Sequence, residues 1–157
     1  MRLVDQKTIN KLVEEAKDNP RHRLNFNFHK FEEPIQRMIN VIFPSSYVIP
    51  HRHFEPDKLE VFIALIGEAY VAEFEDDGNL KNAAKISSNG PTFGVEIPPR
   101  IFHTIIPLSN PCVFYEIIEG PYIEKSHKKF APWAPKDEKE GLNYIKNLTE
   151  RVEAEMY

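Results

Sequence analysis

Between residues 24 and 123 the chain is cut into short apolar and β-branched runs with no helix-length pattern between them. The runs fall at 24–28, 35–43, 46–50, 60–66, 69–75, 83–86, 93–97, 101–106 and 112–118. Pro34, Pro44, Pro56, Gly67, Gly78, Gly90-Pro91, Pro98-Pro99 and Pro111 punctuate them. Proline has no N–H to give a ladder and a fixed φ, so thirteen prolines against six glycines favour short strands and rigid turns over a helical bundle. Strands at this spacing predict an antiparallel sandwich or barrel. Asp77-Gly78, between 69–75 and 83–86, is the clearest hairpin turn.

The flanks read differently. Over 5–18 a helix is predicted, with Asp5 as its cap and Ile9, Leu12, Val13 and Ala16 on one face. Asn19-Pro20 ends it. Residues 121–135 form a proline- and aromatic-rich tail, too apolar for a linker and expected to lie against the barrel. A second helix is predicted over 137–156, with Asp137 as cap and Leu142, Ile145, Leu148 and Val152 in one stripe. The expected division is 1–23 N-terminal helix, 24–123 β-barrel, and 124–157 tail and helix packed on the barrel or on a partner.

A formal charge of −4 without a dominant basic stripe argues against a nucleic-acid partner. The Lys125–Lys129 cluster reads as a solvated loop. No apolar segment approaches the roughly 20 residues of a membrane span, and the N-terminus has no signal-peptide core. The expected location is therefore cytoplasmic. Cys112, the single cysteine, excludes an internal disulfide and reads as a buried thiol.

The chemistry concentrates in Pro50-His51-Arg52-His53 and the run beginning at Glu60. On a strand, the two-residue period puts His51 and His53 on one face and Arg52 on the other. Two imidazoles and a carboxylate are a metal-ligand set. A turn at 54–59 can return Glu60 beside the pair. A second segment, Pro98-Pro99-Arg100-Ile101-Phe102-His103, brings a proline turn into an apolar strand bearing one histidine. His103 is the candidate fourth ligand.

These two segments resemble the paired motifs of the cupin superfamily. His51, His53, Glu60 and Gly67 match the first motif, and Pro98 and His103 the second. The His-to-Glu gap is longer than usual, which makes Glu55 and Asp57 rival carboxylates; the spacing to Gly67 favours Glu60. Ser45 or Ser46 stands for the leading glycine of the first motif, and Arg100 for the glycine of the second. More narrowly, Asn25-Phe26-Asn27, Pro50-His51-Arg52-His53, Glu119-Gly120-Pro121-Tyr122 and Phe130-Ala131-Pro132-Trp133 resemble the WbuC family of cupin-fold metalloproteins, associated with bacterial surface-polysaccharide gene clusters. The resemblance implies a cupin-type double-stranded β-helix, a jelly-roll barrel, with an N-terminal and a C-terminal helix.

The expected cofactor is one divalent transition metal, zinc, iron, manganese or nickel, held by His51, His53, Glu60 and His103. Glu116 interrupts an apolar run and is a candidate acid or base; Lys58 is a candidate contact for an anionic substrate. Asn25, Asn27 and His29 are placed at the barrel mouth, and Tyr122 and Trp133 at its rim, with packing the alternative role for both aromatics. The expected partner is a small sugar-like or anionic molecule, with no nucleic acid or membrane and a homodimer as the assembly. One functional expectation is an isomerase or epimerase acting on a sugar or sugar nucleotide in surface-polysaccharide biosynthesis. The alternatives are a non-catalytic carbohydrate-binding module and an iron-dependent dioxygenase.

Overall fold

A computed structural model describes residues 1–156, and Tyr157 lies outside them. The elements are α1 (Gln6–Lys17), β1 (Arg23–Asn27), β2 (Ile35–Ile42), β3 (His51–Arg52), β4 (Glu60–Ile66), β5 (Glu68–Phe74), β6 (Leu80–Ser87), β7 (Gly94–Ile97), β8 (Phe102–Pro107), β9 (Cys112–Glu119), β10 (Lys129–Phe130) and α2 (Glu138–Met156). The strands form two five-stranded sheets, ordered β1-β2-β9-β4-β7 and β10-β3-β8-β5-β6. Every pairing is antiparallel. This is the jelly-roll barrel, with one helix at each end of the chain.

Strand alternation sorts the side chains into an interior and two outer faces. Ile42, Phe62, Ala64, Val71, Ile105 and Phe114 pack between the sheets and fill the barrel interior. On the opposite face of the first sheet, Ile39, Val41 and Val113 pack against Ile9, Leu12 and Ala16 of α1. On the outer face of the second sheet, Tyr70, Phe74, Phe102 and Ile106 pack against Ile145, Leu148 and Val152 of α2. Both sheets are thus covered over part of their outer faces. That is why β8 is buried at every position and its sequence shows no clean polar alternation.

Local chemistry sets the helix ends. The Asp5 side chain accepts from the Thr8 N–H at 2.8 Å, satisfying one of the free donors of α1. The Glu140 N–H donates to the Asp137 side chain at 3.1 Å and closes the first turn of α2. Gly141 lets this turn sit directly on Tyr47: a Cβ there would lie 1.9 Å from the ring. Tyr47 in turn donates its hydroxyl to the Pro135 carbonyl at 3.0 Å.

The run at 46–50 is not a strand. Tyr47 is committed to α2, Pro50 has no N–H, and the ladder begins only at His51. The tail lies against the second sheet. β10 pairs with β3, the Ala131 N–H donates to the Pro50 carbonyl at 2.9 Å, and the Trp133 ring packs 5.0 Å from Phe74 and 5.9 Å from Phe102. Trp133 Nε1 also donates to the Asp76 carbonyl at 3.2 Å. Trp133 is therefore an outer-face packing residue and does not line the barrel mouth.

Candidate metal centre

Three chain segments meet inside the barrel. His51 lies on β3, His53 just beyond it, Glu60 at the first position of β4, and His103 on β8. One ligand atom from each of the four residues lies within 4.8 Å of all the others. All four are buried, at 1–3% exposure. The imidazole centroids are 4.7 Å apart for His51 and His103, 5.2 Å for His51 and His53, and 5.7 Å for His53 and His103.

The outward ring nitrogens fix the tautomers. His51 Nδ1 lies 2.8 Å from the Ile49 carbonyl, His53 Nδ1 2.6 Å from the His127 carbonyl, and His103 Nδ1 2.9 Å from the Ile101 carbonyl. A carbonyl only accepts, so each Nδ1 carries the hydrogen and donates it. Each Nε2 of a neutral ring then has a bare lone pair. His53 Nε2 lies 3.1 Å and His103 Nε2 2.8 Å from Glu60 Oε2. His51 Nε2 is buried with no hydrogen-bond partner. Three imidazole nitrogens and a carboxylate converging in one buried cluster are a metal-donor set, and a divalent cation satisfies them all.

Electrostatics agree with this reading. Burial lowers the His51 pKa well below the usual range, aided by Lys128 and His103. For Glu60 burial acts upward, but the contacts with His103 and His53 outweigh it and hold the group as a carboxylate. The rival carboxylates go elsewhere. Asp57 receives Arg100 Nε at 2.9 and 2.8 Å, and Glu55 is exposed. Arg100 takes the left-handed backbone with φ of 70°, so the turn leading to His103 keeps the conformation that a glycine adopts freely. Arg52 faces outward, pairs with Asp76 at 2.8 Å and stacks 4.3 Å from the Phe102 ring centroid.

The cluster forms part of the floor of a cavity of about 600 Å³, through His51 and His103. Asn25, Asn27 and His29 line it from β1, and Gln36, Met38 and Asn40 from β2. Glu116 reaches the same wall from β9 at 6% exposure. Asn40 Nδ2 donates to Glu116 Oε2, and the Glu116 carboxyl also contacts Glu60. Burial, and then the Glu60 charge, raise the Glu116 pKa well above the carboxylate range.

Lys58 is placed away from the mouth. It is 2% exposed, donates its ammonium to the Pro121 carbonyl and does not line the cavity. It anchors the segment after β9 from a buried position and is not a solvated side chain. The 125–129 cluster also differs from a freely solvated loop. His127 lies over His53, with centroids 5.2 Å apart, and lines the cavity with Lys128. Burial, followed by Lys128 and His53, lowers the His127 pKa to about 3. Arg21 and Arg23 also line the cavity, and only their basic character was visible in the sequence. Tyr122 lies at the rim beside Phe31, at 4.8 Å. Cys112 is a fully buried thiol directed at the Glu68 carbonyl at 3.0 Å, and burial pushes its pKa up.

A family model described as a domain of unknown function, DUF6016, matches residues 4–86. The chain belongs to the DUF6016 family. No curated protein matches the DUF6016 chain. Among solved structures, it is similar to the capsular polysaccharide assembling protein CapF from Staphylococcus aureus, with a TM-score of 0.58 and 18% identity over 69% of this chain and 34% of that one. It is also similar to an oxalate oxidase solved with glycolate, at 0.56 and 14%, covering 73% of this chain and 58% of that one. Bacillus subtilis oxalate decarboxylase, whose Mn(II) centres were studied, matches at 0.50 and 18% over 62% of this chain and 24% of that one. The chain thus spans about a third of CapF, at 34%. These likenesses establish the cupin fold.

Proposed function

We propose that the chain is a metal-dependent cupin whose cavity takes a small oxygen-rich, sugar-like substrate and catalyses its isomerisation or epimerisation. The observation that carries this is the His51–His53–Glu60–His103 cluster, with its four donor atoms within 4.8 Å and with His51 and His103 lining the cavity. A divalent ion held there supplies Lewis acidity toward a substrate hydroxyl or carbonyl oxygen. Glu116 is the proposed proton-transfer residue, because it is the carboxyl that reaches the same cavity wall beside the cluster. Asn40 holds that carboxyl in place. The sequence words resembling the WbuC family and the fold shared with CapF support a sugar-related substrate. The manganese centres of the decarboxylase make manganese one of the ions to test, with iron, zinc and nickel.

Elemental analysis of protein purified without added metal tests the first half of the reading, and about one divalent ion per chain is expected. Incubation with sugars and sugar nucleotides in D₂O tests the second. Deuterium appearing in the substrate by NMR, and lost in Glu116→Gln with metal retained, supports the isomerase. Binding without exchange in any substrate assigns the cavity to a non-catalytic binding module.

A further inference from the structure

The cavity wall is more cationic than a chain of net charge −4 leads one to expect. Several cations outside the cavity are held by carboxylates: Arg37 by Glu33, Arg52 by Asp76, Arg100 by Asp57 and Lys85 by Glu68. In the cavity, Arg21, Arg23 and Lys128 have no carboxylate at ion-pair distance among the described residues. Arg23 is anchored through one guanidinium nitrogen to Ser46 Oγ at 3.0 Å and to the Tyr47 carbonyl, which fixes the guanidinium in the wall. It lies close enough to Arg21 for the two charges to repel, and Glu138 acts on it without forming a pair. Of the carboxyls in the wall, Glu116 is turned to Asn40 and Glu60, and Glu124 is exposed and pairs with none of the three cations.

Cations left without ion pairs along the wall of one concave site raise the local concentration of anions and hold them. Between these charges and the metal centre the wall is amide-rich. Asn25 and Asn27 on β1 and the buried Asn40 on β2 present donors and acceptors to the same space. The volume of about 600 Å³ suits one small ligand. We propose that the cavity takes a small polyhydroxylated anion, a sugar acid or sugar phosphate. Its charged group is held among Arg21, Arg23 and Lys128, and its hydroxyls meet the Asn25, Asn27 and Asn40 amides. This assignment rests on the sugar-like reading above, and it makes charge a requirement where that reading leaves it open.

Isothermal titration with glucose, glucuronate, glucose 1-phosphate and inorganic phosphate tests it, with metal content measured on the same samples. The expected result is that at least one anionic sugar binds about ten-fold or more tightly than both glucose and inorganic phosphate. Glucuronate against glucose 1-phosphate separates carboxylate from phosphate. Arg21→Glu and Lys128→Glu, at exposed positions, are each expected to weaken that binding by about ten-fold with metal content unchanged. The proposal is overturned if glucose or inorganic phosphate binds as tightly as the anionic sugars, if both charge reversals leave the affinity unchanged, or if no probe binds to metal-replete protein. Metal-free protein that still binds anionic sugars in a charge-dependent way sinks the metal reading and keeps this one.

Discussion

His51 on β3 and His103 on β8 face each other as register partners, and this single pairing joins their two strands. Their ring centroids lie 4.7 Å apart. On its other side His51 is paired with Phe130 of β10. The first ligand is therefore clamped between the strand that carries another ligand and a strand contributed by the tail. The geometry of the centre depends on the tail as well as on the barrel.

Removing a ligand is expected to strip the metal and leave the barrel folded. His51→Ala, His103→Ala and Glu60→Gln should each fall from about one bound ion per chain to below about a tenth. Asp57→Asn, which loses only its Arg100 pairing, should keep its ion. Elemental analysis with circular dichroism measures both. Full metal content in both histidine variants would remove the proposed centre.

Gly67 closes the turn between β4 and β5 with φ of +76°, and a Cβ there would lie 2.7 Å from Ser109 Cβ and 2.8 Å from the Pro111 carbonyl. Gly67→Ala combines a backbone penalty with this crowding and should cost about 1–3 kcal/mol. Thermal unfolding should fall by roughly 2–4 °C per kcal/mol.

Lys58→Met tests whether this residue holds structure or ligand. Losing the ammonium leaves the Pro121 carbonyl without its donor, at a cost of about 1–3 kcal/mol in urea unfolding. Affinity for the anionic sugars should stay within about two-fold. A large loss of affinity at unchanged stability would return Lys58 to the cavity.

Leu148 is 2% exposed in the cluster that joins α2 to the second sheet. Leu148→Ala should destabilise by about 2–5 kcal/mol. Metal content should be unchanged, because α2 covers the face opposite the ligands. Chemical denaturation and elemental analysis on one preparation measure both.

Burial pushes the Tyr144 phenol up to about 12. In an unfolded chain it titrates near 10, so the folded state holds this proton more tightly. Its contribution to stability is complete below pH of about 10 and is lost as the pH rises toward about 12. Denaturant midpoints across this window should decline less steeply in Tyr144→Phe than in the wild type.

Much of this was legible in the linear chain because strand alternation is a local rule. His51 and His53 share a face whatever surrounds them, and Asp77-Gly78 turns a hairpin on its own. The run at 46–50 was misleading because Tyr47 is buried against α2 and Val48 packs against the barrel interior, and apolar content alone does not separate that from a ladder. Trp133 illustrates the same limit: an aromatic after a proline suits a rim or an outer face equally well.

The sequence by itself determined the spacing of the ligands, the turns between the strands and the amphipathic faces of both helices, since each follows from neighbours within a few residues. The tertiary structure decided which carboxylate joins the histidines. Asp57 and Glu60 are close in the chain, and only the Arg100 turn draws Asp57 outward while β4 carries Glu60 in. It also decided that Lys58 supports the tail, and that Arg21, Arg23, His127 and Lys128 share a cavity with the centre. Those placements come from β1 pairing with β2 at the edge of one sheet and β10 with β3 at the edge of the other, a long-range arrangement that no short stretch of sequence encodes.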